Sequence, residues 1–290
     1  MLSLKYIREN TAYVQDSLIQ KKSKVSIPNL LENDSKRRNC LKEVELLRAE
    51  RNKVSASIAE LKKAGKDAQE DILAMRDVSS KIKEVEIELR KVEEIISNEI
   101  YFVPNVVHSS TPVGKDESSN VVIKEWGEAP KFSFTPKDHL ILGEDLQLFD
   151  FKRAVKMAGS GFPLYTGVGA KLERSLINFM LDFHISKHNY TELFPPFLAH
   201  ADAMRNTGQL PKFKDDMYQI PEDSLYCIPT AEVPVTNIHQ GEIIPESELP
   251  KKYAAYSACF RREAGSYGKD TKGLIRVHQF NKVELVKFVH

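Results

Sequence analysis

The stretch FRREAGSYGKDTKGLIRVHQFNKVE, Phe260 to Glu284, decides how the second half of this chain is read. It sets Arg261, Arg262 and Glu263 at the end of one β segment, expected over 253–263. A loop rich in glycine and lysine follows, Ala264 to Gly273. A returning β segment, expected over 274–290, then carries Arg276, His278, Phe280 and Glu284. Phe280 comes four residues after Arg276, on the same face of an alternating strand, so a base can stack on its ring near the same cations. Arg261 and Arg276 each present a planar fork of donors to phosphate or carboxylate, and Glu263 can accept from an exocyclic amine. Cations for phosphates, an aromatic face for a base and carboxylates for an amine fit a site for ATP plus a small zwitterion. Transfer at an α-phosphate needs charge stabilisation rather than a protein nucleophile, and arginines with Mg2+ supply it. Taken singly, each residue is more often a structural member of a basic hairpin. Their order is what argues for a site.

Working outward, VELVKFVH (283–290) is an apolar strand without a turn or polar cap, so the chain is expected to end inside a strand with an unpartnered edge. Upstream, the pattern from Tyr226 onward is short strands and turns. A helix is expected from Ala170 to about His188, burying Leu172, Leu176, Phe179 and Phe183 on one face. TELFPPFL (191–198) follows it, and the tandem prolines Pro195 and Pro196 make it an edge or interface strand. The sum is an antiparallel sheet with helices beside it. GSGFPLYTGVGAK matches neither a dinucleotide nor a P-loop pattern, so its glycines read as turns before that helix. His184 and His188 have metal-ligand spacing, but without a third ligand an ordinary helix face is the better reading. His278 is given no catalytic role.

The first hundred residues have a different rhythm. Met75, Val78, Ile82, Val85, Leu89, Val92 and Ile96 alternate spacings of three and four; so do Cys40, Val44, Leu47, Arg51, Val54, Ile58 and Leu61, with Arg51 the one polar intruder. A 3.5-residue repeat keeps one seam against a partner helix. KKAGKDA (62–68) lies between the two runs, and Gly65 can supply a reversal. An antiparallel hairpin follows, each arm about 30 residues and roughly 45 Å long. Two readings stay open for it, a dimerisation coiled coil or a projecting arm that touches something large. Lys62, Lys63 and Lys66 gather at the tip, where phosphate contacts would be useful.

Bulk properties bound the rest. At 290 residues the chain holds about two domains. Its 42 basic and 41 acidic residues leave a net charge of +1, so any nucleic-acid contact must come from local clusters. Cys40, Cys227 and Cys259 are far apart, which argues against a thiolate zinc site and a disulfide framework and suits a reducing cytoplasm. No apolar run spans a bilayer. The N-terminus reads as an amphipathic helix rather than a targeting peptide.

Phe260, Arg261, Glu263, Arg276 and Phe280 together form the pattern FRxE, loop, (R/H)xxxF, which resembles motif 2 of a class II aminoacyl-tRNA synthetase. The fuller string resembles the seryl-tRNA synthetase branch in particular. TAE at Thr230 to Glu232 resembles the serine-binding signature of that family. The hairpin resembles the arm with which bacterial-type members reach the elbow and long variable arm of tRNA. The helix from Ala170 and the Pro195–Pro196 strand resemble motif 1, the dimer interface.

The resemblance implies an α+β fold: an antiparallel helical coiled-coil arm over 1–103, a linker over 104–130, and a partial class II catalytic domain over 131–290. It implies a cytoplasmic, homodimeric serine–tRNA ligase that forms seryl-adenylate from serine and Mg2+-bound ATP, then loads tRNA(Ser), with tRNA(Sec) left open as a further substrate. By position, Arg261 would hold the α-phosphate and the serine carboxylate, and Arg276 the terminal phosphates. Arg262 and Glu263 would lie along the nucleotide, with Glu263 toward the adenine. Val277 would meet ATP through its backbone, and Phe280 would stack on the base. Thr230, Ala231, Glu232 and Glu284 would bind serine, Thr230 and Glu232 at its amino group and Glu284 near its hydroxyl, and Lys269 and Lys272 would meet the acceptor stem. Motif 3, with its phosphate-clamping arginine, is expected beyond position 290, so residues 1–290 alone should have little or no activity. Two rivals stay open: a synthetase-like ligase that loads a carrier protein, and a non-catalytic tRNA-binding or coiled-coil protein.

Overall fold

The computed structural model describes residues 2–264 and 272–290, and the chain divides into two compact units, Met1–Trp126 and Gly127–His290. In the first unit the amphipathic N-terminus forms two helices, α1 (Leu4–Glu9) and α2 (Thr11–Gln20), where one was expected. The break falls at Asn10, whose side-chain amide donates back to the Tyr6 carbonyl at 3.1 Å. Asn and Asp side chains bind nearby backbone in this way and so compete with helix continuation.

Helix α3 (Ile27–Lys63) begins under a Ser26 cap with Pro28 in its first turn, a residue that fits there because its missing N–H has no partner to lose. It pairs with α4 (Gln69–Ile100). At 37 and 32 residues, the arms run to roughly 50 Å at 1.5 Å per residue. Gly65 makes the reversal at φ +64, and the Lys66 N–H closes it on the Leu61 carbonyl at 3.0 Å. Every apolar seam residue predicted from the heptads is buried or half-buried, while Arg51 is exposed. Polar rungs fix the antiparallel register: Asn29 to Glu99 (2.8 Å), Arg37 to Glu93 (3.1 Å), Arg48 to Glu86 (2.8 Å) and Ser57 to Asp71 (2.6 Å). At the base, α1 and α2 close a core of Ile7, Val14, Leu18, Ile27, Leu30 and Val92.

The second unit starts with α5 (His139–Asp145), α6 (Phe151–Ala158) and α7 (Gly167–His188). A sheet of order β1-β5-β6 joins Thr191–Leu193, Lys251–Phe260 and Gln279–Phe288. The pair β5–β6 is antiparallel over ten residues, whereas the short β1 runs parallel to β5 at the edge. Pro195 and Pro196 fall just past β1, outside any ladder. A second sheet, β2-β4-β3, joins Leu198–His200, Leu225–Cys227 and Gln219–Ile220, all antiparallel. The short helices α8 (Ala201–Asn206) and α9 (Glu232–Thr236) complete the unit. No helix among the described residues is long and apolar enough to cross a membrane.

Two expectations need correction. The stripe Leu172, Leu176, Phe179 and Phe183 is not buried; its members are 41–64 % exposed. At 100° per residue the opposite side of α7 carries Ile177, Leu181 and Ile185, and that side packs on Ala254, Tyr256 and Val283 of the sheet. Helix α7 is therefore apolar on two opposite sides, and the sheet covers one. The β segments are also shorter than expected at their facing ends, because pairing stops at Phe260 with Gln279. Arg276 thus lies before β6 and does not share a strand face with Phe280.

The first unit holds a buried charge. Asp34 is fully buried and accepts from Arg8 of α1 at 2.7 Å and Arg38 at 3.2 Å. Arg8→Ala leaves this carboxylate with one partner, and a loss of about 1–3 kcal/mol is expected. Urea unfolding followed by far-UV circular dichroism reads it. An unchanged midpoint would show that Arg8 does not fasten α1 to the hairpin.

Candidate active site

The ladder β5–β6 positions the site. Direct pairs are Cys259 with Phe280, Ser257 with Lys282 and Ala255 with Glu284. Alternation places these six side chains on one face, with small residues opposite large ones. Ala255, Ser257 and Cys259 are buried and form a floor.

Past β5 the backbone is held tightly. Phe260 N–H donates to the Ile228 carbonyl (2.9 Å), Arg261 N–H to the His278 carbonyl (2.9 Å), and His278 N–H to the Gly161 carbonyl (2.7 Å). His278 Nδ1 sits 3.0 Å from the Arg261 carbonyl. A carbonyl only accepts, so the ring proton is assigned to Nδ1. A Cβ on Gly161 would come within 2.5 Å of the His278 ring, so the close approach requires glycine. Arg262 N–H donates to the Asp216 carbonyl (2.8 Å) and Ala264 N–H to the Asp216 carboxylate (2.6 Å). Between these two bonds Glu263 adopts φ +52, a left-handed conformation that costs energy for a residue with a side chain. Asp216 grips the chain on both sides of the bend.

These restraints deliver the Arg261 side chain. Its Nε donates to the Pro229 carbonyl (3.3 Å), and its guanidinium lies 5.1 Å from the centre of the Phe280 ring. The cation over Phe280 is therefore Arg261, whereas strand alternation had put Arg276 on the face of Phe280. Arg276 instead forms an ion pair with Glu263. Val277, next after Arg276, is buried, and His278 follows it.

Farther along the face lies a compact polar knot. Thr230, buried at the turn that leads into α9, donates its hydroxyl hydrogen to Glu284 Oε2 (2.6 Å). The same hydroxyl oxygen accepts from Lys282 Nζ (2.6 Å) and from the Glu232 N–H (3.2 Å). Lys282 also forms an ion pair with Glu284 Oε2. Burial pushes the Glu284 carboxyl up, but the Lys282 and Thr230 hydrogen bonds and the Lys282 charge outweigh it and hold it below the ordinary carboxylate range. Ala231 is fully buried beneath this knot.

Arg261, Phe280, Thr230 and Glu284 thus converge on one face, flanked by the pair Glu263–Arg276. Lys272 is exposed, and Lys269 lies outside the described residues. Lys62, Lys63 and Lys66 are exposed and belong to the other unit. Sequence reasoning missed Lys282, Asp216 and the bracing role of His278. Lys282 was legible in principle, being two residues from both Phe280 and Glu284 on an alternating strand. Asp216 gave no local signal.

Comparison with known proteins agrees with this geometry. Residues 1–107 match the seryl-tRNA synthetase N-terminal domain, and residues 212–290 match the tRNA synthetase class II core domain (G, H, P, S and T). The serine–tRNA ligase of Desulfosudis oleivorans is 52 % identical over the whole chain, which spans 68 % of that relative. The one from Chloroherpeton thalassium is also 52 % identical, with 69 % of it spanned. Among solved structures, seryl-tRNA synthetase from Pyrococcus horikoshii complexed with ATP superposes with a TM-score of 0.85 at 36 % identity, over 98 % of this chain and 69 % of that one. The chain belongs to the seryl-tRNA synthetase family, the serine–tRNA ligases of class II.

Proposed function

We propose that the face of β5 and β6 bearing Arg261, Phe280 and Glu284 is where serine and ATP are joined. The observation that carries this is the order of groups along one strand face: a guanidinium over an aromatic ring, then an ionised carboxylate tied to a threonine. Arg261 holds the α-phosphate and the serine carboxylate, neutralising charge that grows as the carboxylate attacks. Phe280 stacks on the adenine, Glu263 accepts from its amine, Arg262 lies along the nucleotide, and Val277 contributes its backbone. Thr230, Ala231, Glu232 and Glu284 form the serine pocket. A site built to hydrogen-bond a hydroxyl rejects alanine strongly, because the buried acceptor would go unpaired. Arg276 reaches the terminal phosphates. It must first leave Glu263, a partly exposed ion pair whose loss costs about 1 kcal/mol or less. The described residues contain no group of three or more His, Cys, Asp or Glu able to hold a metal. Mg2+ enters bound to the phosphates of the ATP substrate.

Seryl-adenylate then passes its acyl group to the terminal ribose of tRNA(Ser). The domains responsible are the arm over 1–103, the linker over 104–130 and the catalytic region over 131–290. Lys62, Lys63 and Lys66 at the arm tip and Lys272, with Lys269, on the loop contact tRNA phosphates. The protein works in the cytoplasm as a homodimer. The uncovered stripe of α7 supports this assembly, since an apolar helix face of that size is stable when another surface covers it. So does an apolar cavity of about 620 Å³ in the same unit, lined by Phe194, Pro195, Pro196 and Ile238.

Serine-dependent exchange of pyrophosphate into ATP by the full-length protein tests the site. Arg261→Ala should lower kcat/KM by about 10²–10³-fold, and Phe280→Ala should raise KM for ATP with little change in KM for serine. Wild-type rates in Arg261→Ala would refute the assignment. Phe179→Lys should turn a dimer into a monomer in sedimentation velocity, and a dimer unaffected by it would mean that the stripe is not the interface. For tRNA, replacing Lys62, Lys63 and Lys66 by glutamine should weaken binding and flatten the log Kd against log salt slope by about one for each phosphate no longer neutralised. An unchanged slope would leave these lysines only a helix-terminal role beside the α3 carbonyls.

A further inference from the structure

We propose that His139 is a positioning residue of the ATP site, which holds the backbone N–H of Leu274 and thereby sets where Arg276 and Val277 stand. The inference rests on reading Arg276 and Val277 as ATP contacts. It starts from where the strand ladder ends. Pairing of β5 with β6 stops at Phe260 with Gln279, so residues 272–278 approach the sheet outside any strand. Two ties fix this stretch to the rest of the unit. Leu274 N–H donates to His139 Nε2 at 3.2 Å, and four residues on His278 N–H donates to the Gly161 carbonyl at 2.7 Å. Ile275, Arg276 and Val277 lie between the two ties. Both acceptors come from the chain that precedes α7.

His139 is well placed to act as a fixed acceptor. A ring nitrogen that accepts from a backbone N–H carries no proton, so the proton of this ring is assigned to Nδ1. His139 is the first residue of α5, and the Asp138 carboxylate caps that helix by accepting from the Ile141 N–H at 2.9 Å. Helix α5 is braced in turn. The Phe149 ring lies so close to Gly143 that a Cβ there would come within 1.9 Å of it, and the Leu148 carbonyl accepts from the Thr166 N–H at 2.9 Å, just before α7. Gly273 completes the fit. It adopts φ +63, and a Cβ on it would come within 2.2 Å of His139 Nε2 and 2.6 Å of Leu140 Cδ2. A residue without a side chain lets the next amide reach the ring. The Glu263–Arg276 ion pair thus has a side-chain acceptor for backbone on either side of it: Asp216 holds Ala264, and His139 holds Leu274. Holding the backbone leaves Arg276 only its side-chain rotamers to search when it turns from Glu263 to a phosphate. The gain is large in principle, since a misplacement of about 1 Å can cost on the order of 10²-fold in rate.

The experiment is serine-dependent pyrophosphate exchange by the full-length protein, with KM measured separately for ATP and for serine. His139→Ala removes the acceptor and should raise KM for ATP about tenfold, the effect of one unmade hydrogen bond, with KM for serine unaltered. His139→Gln places an amide oxygen at a reach similar to that of Nε2 and should return KM for ATP to near the wild-type value. Because His139 acts through Arg276, the loss in the double variant His139→Ala/Arg276→Ala should fall short of the product of the two single losses. Wild-type KM for ATP in His139→Ala would overturn the proposal. So would an equal rise in both KM values, a His139→Gln enzyme as impaired as His139→Ala, or losses that multiply in full. If His139→Ala does not fold, Gly273→Ala decides, because its Cβ would part the ring from the Leu274 amide. A rise in KM for ATP alone then supports the tie, and an unaltered KM refutes it. Failure of the underlying site reading looks different: Arg276→Ala would itself leave KM for ATP unaltered, and the proposal would fall with that reading.

Discussion

Pairing of β5 with β6 is the constraint on which the site depends. Ten consecutive residue pairs, from Lys251 with Phe288 to Phe260 with Gln279, fix which side chains share a face. A slip of one residue would send Phe280, Lys282 and Glu284 to the side covered by α7 and bring Asn281 and Val283 to the site. The register is protected on both faces. Val283 packs with Leu181 and Ala254 on the α7 side, while Val286 packs with Ala231, Val235 and Ala255 under α9. Apolar burial therefore specifies the register, and the polar groups inherit their places from it. Tying chemistry to a rigid ladder gives the precision that a loop would lack.

What could be read from sequence follows from how local each determinant is. The heptads predicted the hairpin and its apolar seam, because a 3.5-residue period needs only its own segment; Arg51, their one polar member, is exposed. Gly65 as the point of reversal was legible for the same reason. Helix α7 was harder. Its apolar residues were found, but periodicity shows that a stripe is apolar, not what covers it. Ile177, Leu181 and Ile185 claimed the sheet, and the bulkier stripe behind them was left open.

The chemistry shows the same division. Motif spacing singled out Arg261, Glu263, Phe280, Thr230 and Glu284, which the fold brings close together, yet strand alternation was carried too far past Phe260. The bend at Glu263 and the two bonds from Asp216 end the ladder there, and Asp216 lies 47 positions before Glu263 in sequence. No pattern around residue 216 announces a partner so distant. His278 was given no role in the chemistry and was passed over as a brace, although its ring holds the Arg261 carbonyl and depends on the close approach of Gly161. Lys282 was missed for another reason. A lysine on a strand is usually a solvated surface residue, and only the buried Thr230 beside it gives the charge a task.

The floor of the site completes the electrostatic argument. Ala255, Ser257 and Cys259 are small and buried beneath their cross-strand partners Glu284, Lys282 and Phe280. Cys259 is the one member that could acquire a charge. Burial pushes its thiol up, and this prevails over the lowering effects of the Ser257 hydrogen bond, Lys282 and Arg261. The thiol therefore stays neutral at physiological pH, and it offers no thiolate to compete with Glu284 for Lys282 or with substrate for Arg261. With the floor uncharged, Arg261 at one end and the Lys282–Glu284 pair at the other set the field across the face. That separation suits a reaction in which negative charge gathers on phosphate at the first end while an ammonium ion is held at the second.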